Sequence, residues 1–71
     1  MTYSIRYTDK KGAGHLVMTT DTQKVVHKLK SLYANKIAAK VYKDGEVIGN
    51  VFEDNSQRTG WNWIVNFGND F

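Results

Sequence analysis

Cysteine and proline are both absent from this 71-residue chain. Without cysteine no disulfide can staple the fold, and thiolate metal sites and thiol nucleophiles are excluded. The same absence fits a reducing compartment. Without proline, turns fall to Gly, Asn and Asp. No apolar run approaches the ~18 residues that a membrane span needs. No apolar segment of the secretory type follows Met1, and no Asn-x-Ser/Thr acceptor occurs. These absences together read as a soluble, cytoplasmic protein with no membrane association.

The length implies one domain, residues 1–71. A chain of this size buries only ~60% of the surface its unfolded form exposes, so it must pack well, oligomerise or rest on a partner. Nine aromatic residues supply large side chains for that packing. The net charge of +3 conceals an asymmetry. Residues 1–43 hold nine Lys or Arg against two acids, Asp9 and Asp21, a net of +7. Residues 44–71 hold one arginine, Arg58, against five acids, a net of −4. Between Lys24 and Lys43 there are six lysines and no acid. A split of this kind bears on partners and association kinetics, not on fold.

Hydrophobic periodicity divides the chain into six elements. Tyr3, Ile5 and Tyr7 alternate with polar residues, the pattern of a half-buried strand. Asp9 to Gly14 is turn-like, and His15 to Thr19 reads as a second strand with Leu16 and Met18 on one face. Thr20-Asp21-Thr22-Gln23 has the form of a capping box, with Thr20 as the cap. Val25, Val26, Leu29, Leu32 and Tyr33 then fall within a ~120° arc, predicting a helix over 21–34 with one core-facing stripe. Asn35 is its expected left-handed cap. Ile37, Ala39 and Val41 predict a third strand, Asp44-Gly45 a two-residue hairpin turn, and Val47, Gly49 and Val51 a fourth strand. Glu53 to Gly60 reads as a loop, and Trp61, Trp63, Val65 and Phe67 as one face of a last strand. Gly68 to Phe71 reads as a fraying tail. The order ββαβββ predicts an α+β domain, a largely antiparallel sheet with one helix packed on one face.

Catalytic and metal chemistry find little support. His15 and His27 sit on different elements, and neither has an acid at a spacing that forces contact. There is no HExxH pattern, and Glu53-Asp54-Asn55 lacks the ligand spacing of a calcium loop. Gly12-Ala13-Gly14 joins two strands, whereas a dinucleotide-binding turn leads from a strand into a helix. Paired carboxylates need a cleft that so short a chain rarely encloses. The sequence therefore reads as non-catalytic, without metal or cofactor.

Two binding functions remain. The first is docking on a protein partner, as an accessory protein, inhibitor or regulator of the kind carried by phages and mobile elements. Tyr and Trp commonly anchor interfaces. Tyr42, Ile48 and Phe52 alternate away from the inward set and are the leading candidates, while Trp61 and Trp63 are either interface or the surface that covers the helix. A sheet edge could also pair with a second copy to give a homodimer. The alternative is nucleic-acid binding through a lysine-rich surface of the helix and third strand, using Arg6, Lys24, Lys28, Lys36, Lys40 and Lys43 with Tyr42 as a stacking platform. That reading requires the basic residues to converge in space.

Overall fold

In the structure, a computed structural model, residues 2–68 are described. The tail expected to fray lies, from position 69 on, outside the described residues. The elements are β1 (Tyr3–Thr8), β2 (Gly14–Thr19), α1 (Thr22–Ala34), β3 (Ala39–Lys43), β4 (Glu46–Glu53) and β5 (Trp61–Val65). They form one five-stranded sheet in the order β2-β1-β3-β4-β5, antiparallel at every pairing. The α+β architecture and the ββαβββ order are as the periodicity predicts. Because β1 lies between β2 and β3, the connection through α1 passes over β1 and lays the helix across one face.

The core is the seam between that face and the helix. Val25, Leu29 and Leu32 descend from α1 onto Tyr3 and Ile5 of β1, Ala39 and Val41 of β3, and Val51 of β4. Burying a Val, Leu or Ile side chain fully contributes ~1.5–3 kcal/mol. Among the described residues no polar or charged side chain is buried, so the seam carries no desolvation cost from that source.

Both helix ends differ from the sequence expectation by one residue. The N-cap is Asp21, whose carboxylate accepts the Gln23 N–H at 2.9 Å, and Thr20 does not cap. A carboxylate here both satisfies an orphan donor and faces the positive end of the helix dipole, which a hydroxyl cannot do. At the other end Asn35 stays at φ −91°, and Lys36 takes the left-handed conformation at φ 57°. The Ile37 N–H bonds the Leu32 carbonyl at 2.9 Å and the Lys36 N–H bonds the Tyr33 carbonyl at 3.1 Å, the double closure of a Schellman motif. The Asn35 side-chain amide donates to the Ser31 carbonyl at 2.8 Å.

The β3–β4 hairpin turns at Asp44 (φ 52°) and Gly45 (φ 82°), two positive φ values that match the twist of the flanking strands. Its register then shifts. Val41 pairs with Gly49 but Tyr42 pairs with Val47, leaving Ile48 as the extra residue of a β-bulge. The bulge reverses the alternation expected for this strand. Ile48 packs against the core from the helix side, and Val47 stands exposed on the other face.

Candidate functional site

The helix covers one face of the sheet and leaves the other open. Strand alternation and register fix which side chains line the open face. One cross-strand row reads Leu16, Arg6, Lys40, Asn50 and Ile64, from β2 to β5. A second reads Met18, Ser4, Tyr42 and Val47. Toward the far end lie Gly14 opposite Thr8, and Phe52 opposite Asn62.

This face is unusual in what it exposes. The large hydrophobic residues that stand exposed among the described residues are Leu16, Met18, Val47 and Ile64, and all four lie on it. Their exposures of 57%, 62%, 55% and 59% show side chains that find no cover within the chain. An uncovered antiparallel sheet face is normally polar. At the centre the Arg6 guanidinium sits 5.9 Å from the Tyr42 ring centroid, a cation–π arrangement. No Asp or Glu occupies a strand position on the face, although Glu53 borders one end of it. An open concavity of about 880 Å³ runs across it, lined by Arg6, Leu16, Lys40, Tyr42 and Phe52 among others.

The sequence-derived candidates divide between the two faces. Tyr42 and Phe52 are on the open face, as their alternation implies. Ile48 is not: the bulge turns it to the helix side, where it packs on the core. Trp61 and Trp63 also pack against the core from the helix side, half-buried, so they serve chiefly as cover for the helix. Leu16, Met18, Val47 and Ile64 were not among the candidates. Leu16 and Met18 carried a signal, since they alternate with Val17, but the choice of face needs the strand order. Val47 needs the bulge.

The basic candidates do not converge. Arg6 and Lys40 are cross-strand neighbours on the open face. Lys24 and Lys28 belong to α1, on the other side of the sheet, and Lys28 Nζ lies 4.8 Å from the Tyr7 ring centroid. Lys36 occupies the Schellman turn. Lys43 reaches the Phe67 carbonyl at 3.4 Å and is partly buried there. A continuous basic surface of helix and third strand, as the sequence suggested, is therefore not formed: the sheet itself separates Lys40 from the helical lysines.

His15 does meet an acid, contrary to its sequence spacing. The β1–β2 hairpin folds Asp9 back so that its Oδ2 lies 2.8 Å from His15 Nε2. The same carboxylate accepts the Lys11 and Ala13 N–H groups at 2.9 and 3.0 Å. These bonds, His15 first and Ala13 next, hold the Asp9 carboxyl below the usual carboxylate range. The His15 ring stacks on Tyr7 with centroids 4.9 Å apart. Among the described residues no Ser or Thr hydroxyl bonds to it, and no three His, Asp or Glu side chains gather as a metal site. The arrangement ties a turn together.

The two sheet edges are treated differently. At β5 the Thr59 hydroxyl accepts the Trp61 N–H at 3.4 Å and donates to the Trp61 carbonyl at 3.1 Å. It also bonds the Tyr33 hydroxyl of α1 at 3.0 Å. Asn62 Oδ1 accepts the Trp63 N–H at 2.8 Å. Side chains thus occupy edge groups that another strand would use. No comparable bond protects β2 among the described residues.

No family model, curated protein or solved structure matches this chain. No helix among the described residues is long and apolar enough to cross a membrane.

Proposed function

We propose that this is a non-catalytic binding protein, cytoplasmic in location, that docks on another protein through the open face of its sheet. The single observation that carries this reading is the gathering of Leu16, Met18, Val47 and Ile64, all exposed, on the one face without a helix. An uncovered antiparallel sheet face is normally polar, so large apolar side chains exposed at both ends of its cross-strand rows, around a polar middle of Arg6, Lys40 and Asn50, favour a contact surface. Tyr42 and Arg6 at its centre are residue types that dominate interface energetics. Arg6 and Lys40, with no facing acid from the strands, suit a partner that brings carboxylates to the middle of the contact and apolar side chains to its rim. A small accessory protein or inhibitor acting by occupying a larger protein's surface fits this design.

The test uses tagged protein and the open-face variants Tyr42→Ala, Val47→Asp and Ile64→Asp beside the helix variants Lys24→Ala and His27→Asp. A partner retained by wild type and the helix variants, and lost with the open-face variants, supports the proposal. Retention by all open-face variants overturns it.

A second reading has one observation in its favour: Arg6, Lys40, Tyr42 and Phe52 share that face, offering cations beside two aromatic rings as in sheets that bind single strands. Fluorescence anisotropy with labelled single-stranded oligonucleotides, at low and near-physiological salt, separates the two. Salt-sensitive micromolar binding lost in Arg6→Ala and Lys40→Ala would transfer the face to nucleic acid.

A further inference from the structure

The contrast between the two sheet edges bears on a second surface, the β2 edge, which borders the open face through Leu16 and Met18. The Asp9 N–H bonds the Ala13 carbonyl at 2.9 Å, and hydrogen-bonded pairs alternate along an antiparallel ladder from there. Tyr7, Ile5 and Tyr3 therefore exchange bonds with His15, Val17 and Thr19. Gly14, Leu16 and Met18 must then turn both their N–H and their C=O groups outward, away from β1. Among the described residues no side chain bonds these groups. Natural edges are usually blunted by lysine, proline or a bulge. The β2 sequence, Gly-His-Leu-Val-Met-Thr, has no Lys, Arg, Asp, Glu or Pro, and it pairs with β1 without a register shift.

We propose that β2 is a strand-pairing edge and that its partner is the β2 of a second copy, aligned antiparallel about Leu16. Three observations select a second copy. First, the edge is self-complementary under a two-fold axis. Centring on Leu16 sets Leu16 against its own equivalent and Gly14 against Met18 of the other copy, in three hydrogen-bonded pairs that make about six bonds. Second, sizes match. A β-carbon at Gly14 would meet nothing within 4 Å, so the space over it is free to take the exposed Met18 side chain of the other copy. Third, the charges do not oppose it. The nearest cation on the open face is Arg6, one strand in from the edge. Its equivalent would stand three strand spacings away, ~14 Å, beyond the ~8 Å screening length at physiological salt. A face-to-face dimer would instead bring the Arg6 and Lys40 pairs of both copies toward one another. Edge pairing joins the two open faces into one continuous surface, with the Leu16 and Met18 side chains of both copies along its midline.

The chain has no cysteine, so single introduced cysteines report on geometry without background. Sedimentation equilibrium of wild type should show a reversible, concentration-dependent dimer. Leu16→Lys places two ammonium groups directly opposite and should weaken association at least tenfold, whereas Ile64→Lys, on the protected β5 edge, should leave it unchanged. Both positions are more than half exposed, and circular dichroism checks that each variant is folded. Under mild oxidation L16C should form a disulfide-linked dimer, because directly paired Cα atoms lie ~5.5 Å apart. M18C should not, since its equivalents would be four residues apart along the strand, ~13 Å. A wild-type chain that stays monomeric at millimolar concentration overturns the proposal. So does a dimer that withstands Leu16→Lys, or an M18C cross-link forming faster than that of L16C.

Discussion

Gly49 on β4 lies so close to Val65 on β5 that a β-carbon at position 49 would stand 2.9 Å from the Val65 Cα and 2.5 Å from the Ile64 carbonyl oxygen. Backbone cannot yield as a side-chain tip can, so Gly49→Ala must push β5 away from β4. Overpacking a well-packed site typically costs 1–3 kcal/mol, and contact with backbone places this case at the upper end, about 3 kcal/mol or more. Urea denaturation followed by tryptophan fluorescence measures it directly, since Trp61 and Trp63 lie on the displaced strand. A loss under about 1 kcal/mol would show that the strands are not so closely apposed.

The β-bulge predicts opposite fates for two adjacent residues of similar character. Ile48 packs on the core and Val47 is 55% exposed. Ile48→Ala should cost about 2 kcal/mol, the low end for an aliphatic-to-alanine change because the site is only half-buried. Val47→Ala should cost no more than about 0.5 kcal/mol. Equal costs, or a larger cost at Val47, would mean that the regular alternation persists and the bulge does not.

Lys36 holds a left-handed conformation at φ 57° without the freedom of glycine. Left-handed backbone costs an ordinary residue roughly 1–2 kcal/mol. Lys36→Gly should therefore raise stability by about 1 kcal/mol, after the entropy that glycine loses on folding is deducted. A rise in the urea midpoint with unchanged slope confirms it. A fall would show that the lysine side chain contributes contacts that outweigh the strain.

Two carboxylates set the acid behaviour of the loops. The His15 ring and the Ala13 N–H hold Asp9 low, and Ser56, through its hydroxyl and its N–H, holds Asp54 low. A carboxyl with a lowered folded-state pKa contributes stability above its unfolded value, about 3.9, and loses it as pH falls through the folded value. The β1–β2 turn and the 54–60 loop should thus stay intact down to about pH 4 and loosen below it. Amide NMR signals of Ala13 and Ser56 should titrate with midpoints below about 3.9. Midpoints above that value would remove the hydrogen bonds from the account.

Much of this architecture was legible in the sequence, and the parts that were not share a cause. The helix and its buried stripe of Val25, Leu29 and Leu32 follow from 3.6-residue periodicity, and the Asp44-Gly45 turn follows from its need for positive φ. These are local properties. The choice of Asp21 over Thr20 as cap, and of Lys36 over Asn35 as the left-handed residue, turns on competing hydrogen bonds one residue apart. The open face was only half visible. Tyr42, Phe52, Arg6 and Lys40 sit where alternation puts them, but Val47 and Ile48 exchange roles through a bulge that no pattern in residues 46–53 announces. The dispersal of the lysines likewise depends on which side of the sheet the helix crosses, which is a property of the whole chain.

The hydroxyl pair of Tyr33 and Thr59 has a consequence at a larger scale. Strand pairing is indefinitely repeatable in a molecule with two receptive edges, because each addition presents a fresh one, and the product is a fibre. Thr59 takes both backbone groups of Trp61 and Asn62 takes the Trp63 N–H, which blunts one of those edges. Any growth through β2 then ends after a single step in a closed pair, and a side-chain contact on a short loop acts as a chain terminator.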